Sequence, residues 1–312
     1  MENKTYELTI IGGGPAGVSG AVYAARKRIK TALITPEFGG QSSVSEKIEN
    51  WIGDIAVSGF ELAERLRKHA ESYKGEYLDI VNGEIVEKIS KNGGNFSLKL
   101  SSGKEIVSKS ILIASGSGRR KLPAKGADVF ENKGIVYCAS CDGPLFADKD
   151  VVVVGGGNAA FETAAQLLAY CKSVTLINRG EDFRADEITV EKVLKDPKMK
   201  VLKNSEITEV MGEIFVNKIT VKNTSSGEES TLDVEGVFVE IGQIPNTGFA
   251  SDVLELDQYG RITIDPWSNK TSTEGIWAAG DCSNILYHQN NIAAGDAVKA
   301  LEDIYLWLHN TK

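Results

Sequence analysis

Two cysteines separated by two residues, Cys138 and Cys141, are the side chains of this sequence best suited to chemistry. A CxxC pair can close a small disulfide, and the same spacing lowers a thiol pKa from about 8.5 toward neutrality, where reactive thiolate exists. Such a pair can be reduced, attack a partner and become oxidised again. Asp142 follows directly, and a glycine-rich turn begins shortly afterwards at Gly155. We therefore interpret the pair as a candidate redox centre.

Half of a zinc site is one alternative for this pair, and an inert structural disulfide is another. Structural zinc needs about four ligands, usually from a second CxxC or from paired histidines. The remaining cysteines and histidines are dispersed along the chain: Cys171, Cys282, His69, His288 and His309. We therefore expect no metal. An inert disulfide would leave the adjacent acid and the following glycine turn unexplained.

A strand, a glycine turn and a helix occur in that order twice, in ELTIIGGGPAGVSGAVYAARK and in DVVVVGGGNAAFETAAQLLAY. In a dinucleotide-binding unit, the first glycine permits the turn, the second lets the backbone approach a pyrophosphate, and the third small residue lets helix and strand pack closely. The residues in these roles are Gly12, Gly14 and Gly17 in the first copy and Gly155, Gly157 and Ala160 in the second. Two copies in the right context predict two nucleotide sites.

The second copy favours NADPH over NADH. An acidic residue about twenty positions after the glycines usually binds the ribose of NAD, whereas arginine accommodates a 2′-phosphate. Here the strand SVTLI runs into Asn178, and Arg179 and Arg184 follow in a turn without an acid at the strand end. Both arginines are candidates for binding a phosphate. The alternative is two solvated surface arginines, which are common.

In the first copy, the strand TALIT ends at Thr35 and leads into a second glycine turn with Gly40 and Gln41. Such a turn suits a bulky cofactor lying along the crevice. If nicotinamide occupies the second unit, FAD in the first would complete a relay in which hydride reaches the flavin and two electrons pass to the disulfide. This relay is inferred from the chemistry of the two cofactors; the residue spacing alone does not require FAD in the first unit.

Composition bounds the remaining possibilities. The 312 residues are 42% hydrophobic, enough for about two domains with full cores. The net charge of −8 and the lack of a basic cluster argue against nucleic acid as a partner. No apolar run has the length of a membrane span, and the first residues, MENKTYELTII, lack the features of a secretory leader. We therefore expect a cytoplasmic protein without a membrane partner.

The motifs resemble those of low-molecular-weight thioredoxin reductases over essentially the whole chain. They occur in that family's order and at nearly its spacing: GGGPAG at Gly12 to Gly17, GGQ at Gly39 to Gln41, IENW at Ile48 to Trp51, CASCDG at Cys138 to Gly143, GGGNAA at Gly155 to Ala160, and AAGD at Ala278 to Asp281. The CASCDG segment just ahead of the second glycine loop is the most specific of them.

The resemblance implies an α/β fold with two Rossmann-like three-layer nucleotide-binding domains. The FAD-binding domain is discontinuous, with residues 1–117 and 247–312, and residues 118–246 form the inserted NAD(P)H-binding domain that carries the CxxC pair. It also implies a rotation between the domains, a homodimer, and thioredoxin or a thioredoxin-like protein as partner. Within the tail, the apolar residues Ile292, Ala293, Ala297, Ala300, Leu301, Ile304 and Leu308 have helical spacing and predict a buried helix face.

By the same resemblance, Cys141 is the flavin-facing sulfur and Cys138 the sulfur that attacks the protein substrate. Asp142 becomes the acid and base of the exchange, which requires a raised pKa; the alternative is a helix N-cap after the disulfide turn, and one carboxylate could serve as both. The implied FAD contacts are Gly12, Gly14, Pro15, Ala16, Gly17, Thr35, Gly40, Gln41, Asn50, Gly280, Asp281, His288, Gln289 and Asn290. The implied nicotinamide-nucleotide contacts are Gly155, Gly157, Asn158, Ala160, Arg179, Arg184 and Gly242.

The sequence departs from the family at both cofactors. The family's HRRxxxR motif for the 2′-phosphate stands here as NRGEDFR, so Asn178 replaces histidine and Gly180 replaces one arginine. NADPH use weakened roughly tenfold to a hundredfold, mixed NADH and NADPH use, and another donor such as ferredoxin all remain open. Near the flavin, His288 stands where the family commonly has arginine, and Asn290 where it has alanine. His288 either donates to the cofactor or is an ordinary partly buried histidine.

Three hypotheses follow. The first is an FAD enzyme that passes electrons from NADPH to thioredoxin, marked by the CxxC pair and Asp142. The second is the reductase of a peroxide-scavenging system, similar to the flavoprotein component of alkyl hydroperoxide reductase. That component carries an extra N-terminal thioredoxin-like region, for which we expect no room ahead of Gly12, although a separate redoxin can substitute. The third is a redox sensor that retains FAD without turnover, supported only by the altered NRGEDFR segment.

Overall fold

A computed structural model describes residues 4–45 and 48–310 of the chain. The residues form two compact units: one extends up to Gly118 and resumes at Ile244, and the other comprises Arg119–Gln243. Residues 1–3, 46, 47, 311 and 312, which we assigned to the FAD domain from the sequence, lie outside the described residues. We call the discontinuous unit the outer unit and Arg119–Gln243 the inserted unit.

The strands, in chain order, are β1 Thr5–Gly13, β2 Thr31–Phe38, β3 Leu78–Asn82, β4 Val86–Asn92, β5 Asn95–Leu100, β6 Glu105–Ile113, β7 Ser117–Arg119, β8 Ile135–Val136, β9 Asp150–Val154, β10 Ser173–Ile177, β11 Met199–Leu202, β12 Ser205–Gly212, β13 Val216–Asn223, β14 Glu229–Asp233, β15 Gly236–Val239, β16 Gln243–Pro245 and β17 Ile276–Ala278. The α-helices are α1 Pro15–Arg26, α2 Gly59–Glu71, α3 Ala139–Asp142, α4 Asn158–Leu167, α5 Glu187–Leu194 and α6 Asn290–Asn310.

The outer unit is built on a seven-stranded sheet with the order β3-β2-β1-β6-β5-β4, and β17 also pairs with β6. The pairings of β3, β2, β1, β6 and β17 are parallel, whereas β4 and β5 join as antiparallel strands. The apolar residues of β1 are buried because α1 and α6 cover one sheet face and further apolar side chains cover the other. Parallel pairing brings the ends of β1, β2 and β17 to one edge.

The helix predicted from the tail is α6, whose buried side chains are Ala293, Ala297, Ala300, Leu301, Ile304 and Leu308. These are the residues of the predicted apolar stripe with one exception. Ile292, in the first turn, is 36% exposed. Small residues dominate the buried face where α6 packs beside the alanine- and glycine-rich α1, so the two helices approach closely.

The inserted unit contains a five-stranded parallel sheet with the order β11-β10-β9-β15-β8 and a separate antiparallel sheet, β12-β13-β14. Four consecutive valines make β9 an apolar strand buried from Val151 to Val154, as expected for a strand covered on both faces. Helix α4 packs against this strand. The predicted fold class, two Rossmann-like nucleotide-binding folds, is confirmed.

The strands β7 and β16 pair with each other where the chain passes from one unit to the other. Nearby, the Asn246 amide donates to the Gly116 carbonyl at 3.0 Å, and the Arg120 amide donates to the Gly242 carbonyl at 3.0 Å. Within residues 4–45 and 48–310, no helix has the length and apolar character needed to cross a membrane.

Candidate redox and nucleotide-binding sites

The first glycine loop joins β1 to α1 in a geometry that only small residues allow. Gly12 has a φ of +119°, and a methyl group there would lie 2.2 Å from the Ala114 carbonyl oxygen. A methyl group on Gly17 would lie 1.8 Å from the Gly12 carbonyl oxygen, so this glycine lets the helix approach the strand. At Gly14, by contrast, the closest atom to an added methyl is the Gly40 Cα, at 3.8 Å. The middle glycine therefore faces open space, as pyrophosphate binding requires.

Side chains cap three of the described helices but not the two that follow the glycine loops. Ser58 caps α2, Cys138 caps α3 and Asp186 caps α5, each by accepting a backbone N–H bond. Helices α1 and α4 begin after Gly14 and Gly157, and neither has a side-chain cap. The first amides of a helix need acceptors, and phosphate oxygens serve well because the helix dipole also favours an anion. The uncapped ends thus fit the cofactors that the glycine loops predict.

The predicted FAD contacts of the outer unit lie together at the edge formed by the ends of β1, β2 and β17. Methyl groups placed on Gly280 and Gly40 would lie 3.5 Å from the Ala16 Cβ and 3.5 Å from the Gly14 Cα. Pairs of polar side chains join the surrounding segments: Asn50 Nδ2 donates to Gln289 Oε1 at 3.2 Å, Ser42 Oγ contacts both side-chain atoms of Asn290 at 2.9 and 3.0 Å, and His288 Nδ1 lies 3.3 Å from Asp281 Oδ1. Residues from separate segments of the outer unit therefore contact one another at this edge.

Thr35, one of the predicted FAD contacts, lies within β2. It is completely buried, and its hydroxyl donates to the Glu37 carbonyl oxygen. The Thr35 side chain therefore bonds to the backbone near the end of its own strand. Gln41, which lies in the 3₁₀ turn Gly40–Val44, is exposed, and its Nε2 donates to Ser117 Oγ at 3.2 Å.

The second glycine loop repeats the first in the inserted unit. Gly155 has a φ of +146°, and a methyl group there would lie 2.4 Å from the Glu240 carbonyl oxygen and 3.1 Å from the Ala160 Cβ. An added methyl on Gly157 would meet no atom within 4 Å. Asn158 accepts a hydrogen bond from the Asp186 amide at 2.8 Å, so its side chain ties the loop to the start of α5.

The turn after β10 carries the two candidate phosphate-binding arginines, and Asn178 organises it. Asn178 is buried, and its Nδ2 donates to the carbonyl oxygens of Gly180 at 2.8 Å and Asp182 at 3.0 Å. Arg179 and Arg184 are exposed, and the Arg184 amide donates to the Gly156 carbonyl at 2.7 Å. Asn178, which replaces the histidine of the family motif, thus shapes the backbone that carries both arginines. The signal in the sequence is an asparagine directly after the predicted strand SVTLI, a residue type that favours turns.

Cys138 and Cys141 form a disulfide with a Cα–Cα distance of 5.3 Å. Cys138 is the N-cap of the four-residue helix α3, and its Sγ accepts from the Cys141 amide at 3.2 Å. Both cysteines are partly buried. Helix α3 is held against α4 by a hydrogen bond from Ser140 Oγ to Gln166 Oε1 at 3.1 Å. The disulfide therefore lies beside the helix that begins at the second glycine loop.

Asp142 is the last residue of α3, and its amide donates to the Cys138 carbonyl at 2.9 Å. It also precedes the 3₁₀ turn Gly143–Phe146, whose first amides it does not cap with its side chain. Asp142 thus occupies the N-cap position of this turn without a capping hydrogen bond from its side chain. The free cysteines match our expectation of small buried side chains: both are buried, and burial raises the pKa of Cys171 and of Cys282 to about 11.

Glu240 is a residue that our sequence analysis missed. It directly follows β15, and its Oε1 accepts from the Thr163 hydroxyl of α4 at 2.8 Å. Burial raises the pKa of this carboxyl to about 7; the Thr163 hydrogen bond and Arg119 oppose the rise, and the nearby carboxylate of Glu162 adds to it. The signal in the sequence is a single acid at the end of the apolar run GVFV. Such a carboxyl titrates near neutral pH, which is typical of functional sites.

Fold and site together define a class of protein: a two-unit nucleotide-binding oxidoreductase with a disulfide beside its second nucleotide loop. The chain belongs to the pyridine nucleotide-disulphide oxidoreductase family, whose model matches residues 6–297. Membership implies FAD and a nicotinamide nucleotide as cofactors, and the uncapped helices and open glycines described above fit both.

Among curated proteins, the chain is 36% identical over 299 residues to an NADH dehydrogenase of Bacillus subtilis, which covers 96% of this chain and 58% of that protein. It is 37% identical over 301 residues to a component of the alkyl hydroperoxide reductase of Staphylococcus aureus, and the match covers 96% of this chain and 59% of that protein. The chain thus spans about six-tenths of the length of these relatives. The structure of thioredoxin reductase from Streptococcus pyogenes matches with a TM-score of 0.89 and 32% identity, covering 99% and 100% of the two chains. The resemblance to low-molecular-weight thioredoxin reductases is confirmed.

Proposed function

We propose that this protein passes electrons from a reduced nicotinamide nucleotide, through FAD, to the disulfide of Cys138 and Cys141, and from there to thioredoxin or a thioredoxin-like protein. The observation that carries the proposal is the closed disulfide on α3, held beside the helix of the second nucleotide loop. The likeness to solved thioredoxin reductases over nearly the full length of both chains supports it. A cytoplasmic location and a homodimer belong to the same proposal.

The cofactors have distinct binding residues in this scheme. Gly14 and the first turn of α1 would hold the FAD pyrophosphate, with Gly40, Gly280 and Asp281 around it. Gly157 and the first turn of α4 would hold the nicotinamide nucleotide. Bound FAD supplies two-electron chemistry that accepts a hydride and delivers two electrons to a disulfide.

The cysteines perform the exchange chemistry themselves. Two electrons and two protons convert the Cys138–Cys141 disulfide into two thiols. The Cys138 thiolate then attacks the substrate disulfide, which forms a mixed disulfide and releases one substrate thiolate. The Cys141 thiolate attacks Cys138 Sγ, releases the second substrate thiolate and closes the original disulfide again. Asp142, beside the pair, supplies and accepts the protons of these steps.

Substitution of one cysteine provides a test of the disulfide step. A Cys138→Ser variant should retain FAD and still oxidise the nucleotide with an artificial dye, but lose the ability to reduce thioredoxin. Cys171→Ser is a matched control, because that buried cysteine has no place in the mechanism and its substitution should preserve thioredoxin reduction. Unchanged turnover by Cys138→Ser would exclude that sulfur from the mechanism.

Anaerobic stopped-flow mixing with NADPH and with NADH tests the electron donor. Bleaching of the flavin within seconds by either nucleotide supports the proposal. Bleaching by dithionite alone would instead indicate another donor or a flavin sensor without turnover.

A second candidate function is reduction of a peroxide-reducing system with NADH as the donor. One observation on the donor site favours it. Gly180 leaves the phosphate turn with two arginines, which shifts the preference toward NADH. Relatives at 36% and 37% identity include an NADH dehydrogenase and a component of an alkyl hydroperoxide reductase. Reduction of a peroxiredoxin, but not of thioredoxin, with NADH as donor would establish this alternative.

A further inference from the structure

The order of strands in the inserted unit locates the crevice where a ligand of the second nucleotide loop must lie. From β9 the chain proceeds through β10 to β11 on one side, whereas β15 pairs with the other side of β9. In open parallel sheets, ligands bind beyond the carboxyl ends of the strands at the point where the strand order reverses. Gly155 follows β9 at this point, and Glu240 follows β15.

The register of the strands aligns Glu240 with two segments that matter for the proposed chemistry. Val239 pairs with Val154, so Glu240 is level with Gly155. On the other side, Phe238 pairs with Val136, the last residue of β8, and the chain reaches Cys138 two residues later. Neighbouring strands lie about 4.8 Å apart. Glu240 thus follows a strand that is flanked by the strand of the nucleotide loop and by the strand that leads to the disulfide.

The direction of the bound nucleotide follows from the same arrangement. The adenosine ribose of a dinucleotide contacts the end of the strand next to the glycine loop, here β10, where Arg179 begins the phosphate turn. The pyrophosphate lies at the start of α4. The nicotinamide must therefore extend to the opposite side of the loop, over the end of β15, where Glu240 stands.

Burial favours the neutral form of the Glu240 carboxyl, whereas the hydrogen bond from Thr163 favours the ionised form. Thr163 donates to Oε1, which leaves Oε2 as the atom able to carry a proton. Glu162 on α4 and Arg119 on β7 are the charged groups that face the carboxyl, and they act on it with opposite sign. A bound ring would remove water from this partly buried carboxyl and make its ionised form more costly.

We propose that Glu240 binds the nicotinamide end of the nucleotide, and that its carboxyl must be protonated to accept the neutral, reduced ring. This inference rests on the proposed nucleotide site. A protonated carboxyl offers one O–H donor and one acceptor, which matches the carboxamide of nicotinamide. The oxidised ring is a cation, which an ionised carboxylate tolerates and attracts. Glu240 is thus a binding residue that distinguishes the reduced from the oxidised nucleotide.

The effect on affinity follows from proton linkage. With a carboxyl pKa of about 7, the fraction of protein ready to bind the reduced ring falls steeply above neutrality. The Kd should therefore rise roughly tenfold from pH 6 to pH 8. The 1,4,5,6-tetrahydro analogue of NADH is the appropriate probe, because it has a neutral ring and cannot transfer hydride. It also lacks a 2′-phosphate, a group that titrates near pH 6 and would obscure the profile.

The test is isothermal titration calorimetry on the FAD-loaded protein at pH 6, 7 and 8. Wild type should show the tenfold rise in Kd for the analogue, and Glu240→Gln should bind with a Kd that is constant within twofold. Glu235→Gln is the matched control, because Glu235 is an exposed acid next to the opposite end of β15, and it should behave as wild type. NAD⁺ binding to wild type should not weaken with rising pH.

Three results would overturn the inference while leaving the nucleotide site intact. One is a Glu240→Gln protein that keeps the pH dependence of wild type, and another is an equal loss of NAD⁺ and analogue affinity with pH. A wild-type Kd for the analogue that is flat with pH would have the same consequence. If wild type and both variants bind no nucleotide at any pH, the proposed function fails, and this inference fails with it.

Discussion

Restoring the missing charge at Gly180 should strengthen NADPH binding. In the Gly180→Arg variant, the nearest atom to the new Cβ would be the Asp182 carbonyl oxygen at 3.9 Å, an ordinary contact, and φ lies outside the left-handed region. The Gly180 carbonyl remains held by Asn178 Nδ2 at 2.8 Å and by the Asn204 amide at 3.1 Å. The turn can therefore accept a side chain without rearrangement, and a third arginine would project from the same segment as Arg179 and Arg184.

The size of the effect follows from the exposure of the turn. A charge-assisted hydrogen bond contributes about 1.5 to 3 kcal/mol, and solvent around these exposed arginines reduces it to about 1 to 2 kcal/mol. The Kd for NADPH should therefore fall roughly five- to thirtyfold. NADH has no 2′-phosphate, and its Kd should not change.

Calorimetric titration of both nucleotides, in their oxidised forms to prevent turnover, measures this difference. Gly180→Gln is the matched control, because it adds a side chain of similar length without the charge and should leave both Kd values near wild type. The gain should also shrink as salt concentration rises. An equal gain for NADP⁺ and NAD⁺, or no gain for NADP⁺, would refute the assignment of this turn as the 2′-phosphate site.

Two further substitutions test residues that the structure identified. Asn178→Ala removes hydrogen bonds to two carbonyl groups, so urea denaturation should show a loss of about 2 kcal/mol, together with weaker NADP⁺ binding; full stability would contradict the role of Asn178 in the turn. Glu240→Gln should stabilise the protein at pH 8. Because the carboxyl pKa rises from 4.5 to about 7 on folding, the contribution of Glu240 to wild-type stability is fully present below pH 4.5 and is lost as the pH rises to 7, a change of up to about 3 kcal/mol. Denaturation midpoints that differ equally at pH 5 and pH 8 would exclude this explanation.

Local patterns were sufficient for the parts of the fold whose physical cause is local. The glycines of both loops are needed for a turn and a close helix contact within about six residues of chain. Their positions can therefore be predicted from the sequence. The buried face of α6 likewise follows from helical spacing alone. Ile292 departs from that pattern because it lies at the margin of the stripe, one residue before Ala293, which is buried in the same turn.

The residues that sequence analysis missed or misread depend on contacts that are distant along the chain. Asn178 acts on the turn only because β10 ends beside the glycine loop, with Asn178 Oδ1 against Gly156. Glu240 acquires its raised pKa from burial beside α4, about eighty residues earlier in the chain. The Thr35 hydroxyl lies against Gly13, and this burial directs it to the carbonyl oxygen of Glu37. No local pattern encodes such burial.

The pairing of β7 with β16 brings the two chain connections of the inserted unit side by side. A methyl group on Gly118 would lie 3.8 Å from the Ile244 carbonyl oxygen, so the entry and exit of Arg119–Gln243 are adjacent. Two or three glycines would suffice to splice Gly118 directly to Ile244, since neighbouring strands lie only about 4.8 Å apart. The host would then be an uninterrupted chain, and the excised module a contiguous one. Neighbouring chain ends of this kind are where the insertion of a different domain in place of Arg119–Gln243 is tolerated.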